Sequence, residues 1–165
     1  MNIADNTLIH RTLSTNSSLT GLALRIPAGI IFIAHGAQKL FGSFGGYGLE
    51  GTGQWMASIG LEPGYLMALA AGSAEFFGGI ALLIGLLTRP AALVLAITML
   101  VAIVTVHLPH GLFMSNNGYE FGLALLAISV ALVVNGGGSF SVDRKLSAQQ
   151  DDNTLLNPSA NNARA

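Results

Sequence analysis

Residues 65–87 read YLMALAAGSAEFFGGIALLIGLL, an apolar run with one carboxylate, Glu75, near its centre. Such a run suits a helix crossing the roughly 30 Å hydrocarbon core of a bilayer. A carboxylate at that depth costs about 3 kcal/mol on insertion scales, so it must face protein rather than lipid. Its neighbours show how: Ala71 and Gly72 lie one turn before it, Gly78 and Gly79 one turn after. A stripe of small residues lets a second helix approach closely, so Glu75 is expected to point into a helix bundle.

Working outward, three further segments have similar character. One runs from about Leu22 to Phe41, another from Ala91 to Leu108 after Thr88-Arg89-Pro90, and the shortest from Tyr119 to Val134. Proline suits the first turn of the third helix, and the Gly136-Gly137-Gly138 run stops the fourth. The runs are too continuous for the alternation of a membrane barrel. Charged residues make up only 9% of the 165, too few to cover a soluble globule of this size. The expectation is an all-α, polytopic membrane four-helix bundle. Residues 1–21 are read as a polar N-terminal tail, 22–143 as the transmembrane domain, and 144–165 as a polar, disordered tail. Residues 1–20 lack the basic and apolar regions of a signal peptide, so the first helix is read as retained.

Basic residues set the orientation. With both ends inside, Arg11, Arg25, Arg89, Arg144 and Lys145 lie on the cytoplasmic side and Lys39 on the outer side. The outer loops are then the Gly-rich stretch 42–64 and the segment PHGLFMSNNG at 109–118. A short interfacial helix is expected around Gln54-Trp55-Met56, with Trp55 at headgroup level.

The polar residues of the spans suggest a site. On helix one, Arg25, Phe32, His35, Gly36 and Lys39 fall within a sector of about 100°. An antiparallel first hairpin would let Glu75 reach His35. His107 ends the third helix, and Glu120 opens the small-residue face of the fourth. His35, Lys39, Glu75, His107 and Glu120 thus predict a polar pocket open to the outer side, roofed by the glycine loop. The plainer reading is that Glu75 pairs with His35 or Arg25 to hold the bundle, and that Arg25 and Lys39 snorkel to the two surfaces. No HxxxH or ExxH spacing supports a metal site, and no GxSxG marks a hydrolase. Cysteine is absent, which excludes thiolate metal sites and thiol redox centres. A net charge of −1 gives no field to attract nucleic acid.

These marks resemble the DoxX family of small four-helix bacterial membrane proteins. The resemblance rests on Arg25, His35-Gly36 and Lys39; on Glu75, Gly85 and Thr88-Arg89; on Asn117-Gly118-Tyr119-Glu120; and on Gly136-Gly137-Gly138 with Ser141-Val142-Asp143. It covers about Leu22 to Asp143 and implies a bundle in the bacterial cytoplasmic membrane. Some members are linked to oxidoreductase systems, one branch being part of a thiosulfate:quinone oxidoreductase and another associating with a superoxide dismutase and a sulfurtransferase. The resulting expectation is a quinone-linked or redox-associated membrane subunit, with no covalent cofactor and its electrons drawn from a partner protein. Glu75 and His35 are the candidates for proton transfer. Lys39, Trp55, His107, Glu120 and Arg25 are the candidates for ligand binding. Whether the chain itself turns over a substrate stays open. The alternative is a non-enzymatic assembly factor, partner anchor or small-solute carrier, for which a homodimer is plausible because four helices alone enclose little space.

Overall fold

The computed structural model describes residues 19–156, with side chains over 19–149. Most of the N-terminal tail expected at 1–21, and the tail beyond residue 156, lie outside the described residues, as do Arg11 and Arg164. The described residues form helices α1 (Leu19–Phe41), α2 (Gly48–Ser58), α3 (Gly64–Ile84), α4 (Thr88–Ala102), α5 (Glu120–Asn135) and α6 (Val142–Leu156), with no strand among them. A π-helical turn at Ile103–His107 and a 3-10 turn at Leu108–His110 prolong α4.

Three of these runs are long and apolar enough to cross a membrane: Leu19–Phe41, Gly64–Ile84 and Thr88–His110. The fourth apolar helix, α5, has 16 residues and spans about 24 Å at 1.5 Å per residue, short of a full hydrocarbon core. Two boundaries differ from expectation for local reasons. Helix α3 stops at Ile84, not Leu87, because Gly85 takes φ 70° as a left-handed cap. Helix α4 starts three residues earlier than expected, with Arg89 and Pro90 in its first turn.

Small residues determine how the first hairpin packs. A Cβ added at Gly79 would lie 2.9 Å from the carbonyl oxygen of Gly29, and one at Gly36 would run into the backbone of Phe76. Helices α1 and α3 therefore cross in near backbone contact. Phe32, Leu82, Leu95, Met99, Leu125 and Leu132 fill the space between α1, α3, α4 and α5. Phe77, Leu93, Ile97, Leu100, Val104 and Val130 remain exposed on the outside, as lipid-facing side chains do.

One end of the bundle is tied by charged side chains to helix ends. Arg25, 1% exposed, donates to the carbonyls of Gly137 (2.9 Å), Leu83 (2.6 Å) and Phe140 (2.8 Å), with longer bonds to those of Leu82 and Ser139. Asp143, equally buried, accepts from the backbone N–H groups of Leu87 (2.7 Å) and Thr88 (2.8 Å) at the start of α4. Arg89 donates to Val133 and Val134 at the end of α5. The last carbonyls and first amides of a helix have no partner within it, and here side chains supply several.

Residues 144–156 of the tail expected to be disordered belong to α6. Ser141 Oγ accepts from the backbone N–H of Arg144 at 3.2 Å, an N-cap that starts α6 despite the disorder-like composition. The glycine-rich stretch 42–64 holds the short helix expected around Gln54-Trp55-Met56. It folds as α2 against α3, where Gly53 and Gly64 approach each other too closely for a side chain on Gly64.

Candidate functional site

Halfway along α3, Glu75 is buried and accepts a hydrogen bond from Lys39 Nζ of α1 at 2.6 Å, an ion pair in which Lys39 remains 24% exposed. The antiparallel hairpin brings the two together: the close approach at Gly36 sets α1 against Phe76, and Gly72 lies under Leu40 and Lys39. The expected Glu75–His35 contact is not what forms. Lys39, one turn above His35, takes the carboxylate, because its longer stem reaches down the interface.

His35 and His107 complete the cluster. Both line, with Lys39 and Glu75, a cavity of about 260 Å³ whose walls also include Phe121 and Met114. The His35 ring lies 6.0 Å from that of Phe121, tilted by 48°. His107 Nδ1 is 2.8 Å from the carbonyl oxygen of Asn117. A carbonyl only accepts, so Nδ1 carries a proton there, and the other ring nitrogen of a neutral His107 is an acceptor.

Two further cavities border the cluster. One, of about 540 Å³, lies between α3 and α4 and is lined by Ala70, Ala71 and Ala74 facing Val94, Ile97 and Val101, with Glu75 and His107 also on its wall. The other, of about 690 Å³, is a funnel above Lys39, walled by Gln38, Tyr47, Thr52, Trp55 and Asn117. Trp55, in α2, stands where these two meet and is half exposed.

The remaining candidates are placed elsewhere. Glu120 accepts from the backbone N–H of Met114 at 2.6 Å and so braces its own loop. Arg25 is not a surface anchor and lies 14 residues from Lys39 on α1, about 21 Å away at 1.5 Å per residue. Sequence reasoning passed over Asn117 as a site residue, although it lines all three cavities. Its signal was the Asn-Gly step: Asn117 takes φ 62°, the left-handed conformation that Asn tolerates in turns, and so aims its carbonyl at His107. It also passed over Asp143, whose role depends on contacts 55 and 56 residues away in sequence. Among the described residues, no three His, Asp or Glu converge as a metal-ligand set.

The apolar exterior, three membrane-length helices and a buried ionisable cluster define a helical integral membrane protein. The DoxX family profile matches residues 21–108, nearly all of the three membrane-length helical runs, and the chain belongs to the DoxX family. It is similar to the "Putative oxidoreductase CatD" of Bacillus subtilis (strain 168), 40% identical over 67% of this chain and 76% of that protein. It is also similar to "Inner membrane protein YqjF" of Escherichia coli (strain K12), 36% identical over 76% of this chain and 90% of the relative. No solved structure matches it.

Proposed function

We infer that this chain is a redox-associated subunit of the bacterial cytoplasmic membrane that binds a quinone in the outer half of its bundle. The observation that carries the reading is the buried Lys39–Glu75 pair beside His35 and His107, where an apolar cavity meets two with more polar walls. Reducing a quinone to a quinol takes two electrons and two protons. The cluster has the parts for the protons: Lys39 and a ring N–H to donate to quinone oxygens, and Glu75 to exchange a proton as charge changes nearby. The flat ring would sit among Phe32, Phe121 and Met99, which line the same chamber. With no cysteine in the chain, electrons come from a partner protein. The names of the two relatives, "Putative oxidoreductase CatD" and "Inner membrane protein YqjF", support a redox role at that membrane.

In this reading all four apolar helices cross the bilayer, α5 being matched to its thickness by local thinning. Arg25, Arg89, Arg144 and Lys145 mark the cytoplasmic end and Lys39 the outer end, so both termini are inside. Reporter fusions after Arg89 and after Asp143 should both report cytoplasm; a periplasmic signal from either overturns the orientation.

The direct test is mass spectrometry of the protein purified in detergent. Quinone should co-purify with the wild-type chain and be depleted at least about tenfold in Glu75→Gln. Failure of quinone to bind, or equal binding by the variant, removes the reading. The Lys39–Glu75 pair also ties α1 to α3, and that observation favours the second reading, a non-enzymatic assembly factor, anchor or solute carrier. Loss of folded protein in Glu75→Gln, with no quinone in the wild type, would select it.

A further inference from the structure

The cavity between α3 and α4 is built unlike the polar chamber it adjoins. Its α3 wall is Ala70, Ala71 and Ala74, and its α4 wall is Val94, Ile97 and Val101. Val94, Ile97 and Val101 are each about half exposed, so the cavity is a groove open sideways, at a depth where the surroundings are hydrocarbon. From Val94 to Thr105 it runs about 16 Å along α4 at 1.5 Å per residue. The two hydroxyls on that wall are already satisfied, Thr98 by Val94 O at 3.0 Å and Thr105 by Val101 O at 2.8 Å. Nothing along the groove therefore calls for water.

Its polar groups gather at one place. Glu75, His107 and Asn117 line both the groove and the polar chamber or its loop, and Trp55 with Met56 and Leu61 covers the outer end. An ordinary phospholipid would place its headgroup at the surface and leave this buried polar end facing its acyl chain. A molecule with a small polar head and a long apolar tail fits both parts.

We propose that the α3–α4 groove is the tail-binding site and lateral entry port for an isoprenoid-type quinone dissolved in the bilayer, delivering its ring past Glu75 into the His35–Lys39 chamber. The proposal rests on the quinone reading above and adds the route and the tail. Burial of successive methylene groups in the groove supplies affinity that the ring alone lacks.

The chain's single tryptophan stands at the groove's outer end, so quenching of Trp55 fluorescence by quinone reports binding without any turnover. The probes are a decyl-tailed benzoquinone and the same ring without its tail, titrated into full-length protein in nanodiscs. Ala71→Phe plugs the groove from α3 and Thr98→Phe from α4; neither residue lines the polar chamber. Each plug should weaken the tailed quinone at least about tenfold and the tailless ring less than about twofold. The two walls give independent variants, and thermal unfolding identifies a plug that has merely failed to fold. Plugs that spare the tailed quinone, or weaken both probes alike, overturn the groove as the tail site while leaving the quinone reading standing. If neither probe quenches the wild type, both fall. If brominated phospholipid quenching of Trp55 is what the plugs relieve, or if they shift the protein from dimer to monomer, the groove belongs to a lipid chain or a second copy and the proposal is lost.

Discussion

The two ends of the bundle handle buried charge in opposite ways. At the end where α3 stops and α4 begins, Arg25, Asp143 and Arg89 direct their hydrogen bonds at backbone carbonyls and amides of helix termini and of the turn after α5. Toward the opposite end, Lys39 and Glu75 meet each other and face cavities, with His35 and His107 alongside. A charge saturated by backbone is fixed in place, and changing its protonation or partner means unfolding a helix end. A charge whose partner is another side chain beside empty volume can exchange that partner for a ligand. Both ends carry buried ionisable groups, yet only the Lys39–Glu75 end has the freedom that chemistry requires.

The comparison breaks most directly at Arg25. Replacing it by Gln leaves several buried carbonyls without their donor, and each buried acceptor left unsatisfied costs about 1–3 kcal/mol. Arg25→Gln is expected to lose most folded protein, or to unfold far earlier in a thermal melt, with quinone binding per folded molecule unchanged. A well-folded Arg25→Gln that loses ligand would dissolve the division between the two ends.

Glu75→Gln should do the reverse. Gln is nearly isosteric and keeps a hydrogen bond to Lys39, so stability should fall by only about 1–3 kcal/mol, while quinone retention drops as described above. A stability loss as large as that of Arg25→Gln, measured by denaturant or thermal titration, would make the Lys39–Glu75 pair structural too. Glu120→Ala is the mildest change. It removes one loop bond, to Met114 N–H, worth about 1 kcal/mol, and should leave quinone binding within about twofold. A larger effect on binding would extend the site to the rim of α5.

Much of this was legible in the residues and some was not. The helices were readable because apolar runs of membrane length have few alternative folds, and Glu75 drew attention because a carboxylate there is costly. Its partner was not readable: His35 and Lys39 share one face of α1 a single turn apart, and side-chain reach at the actual helix crossing chose between them. Arg25 was misjudged for a similar reason. A cation near a helix start reads as a surface anchor, and the carbonyls it binds come from residues 82–83 and 137–140, gathered only where the end of α3 packs beside the turn between α5 and α6. Glu120 sat on the expected face but was drawn off by its own loop.

The amino-acid sequence by itself determined that this chain is helical, that it belongs in lipid, and that a few ionisable side chains must be shielded there. Local propensity and the cost of desolvating a charge act residue by residue, so they can be read along the chain. Which charge meets which, and where a groove remains open, was decided by the packing of small residues between helices. Those contacts join positions far apart in the chain, and tenths of an ångström at Gly29, Gly36 and Gly79 determine which side chains come within reach.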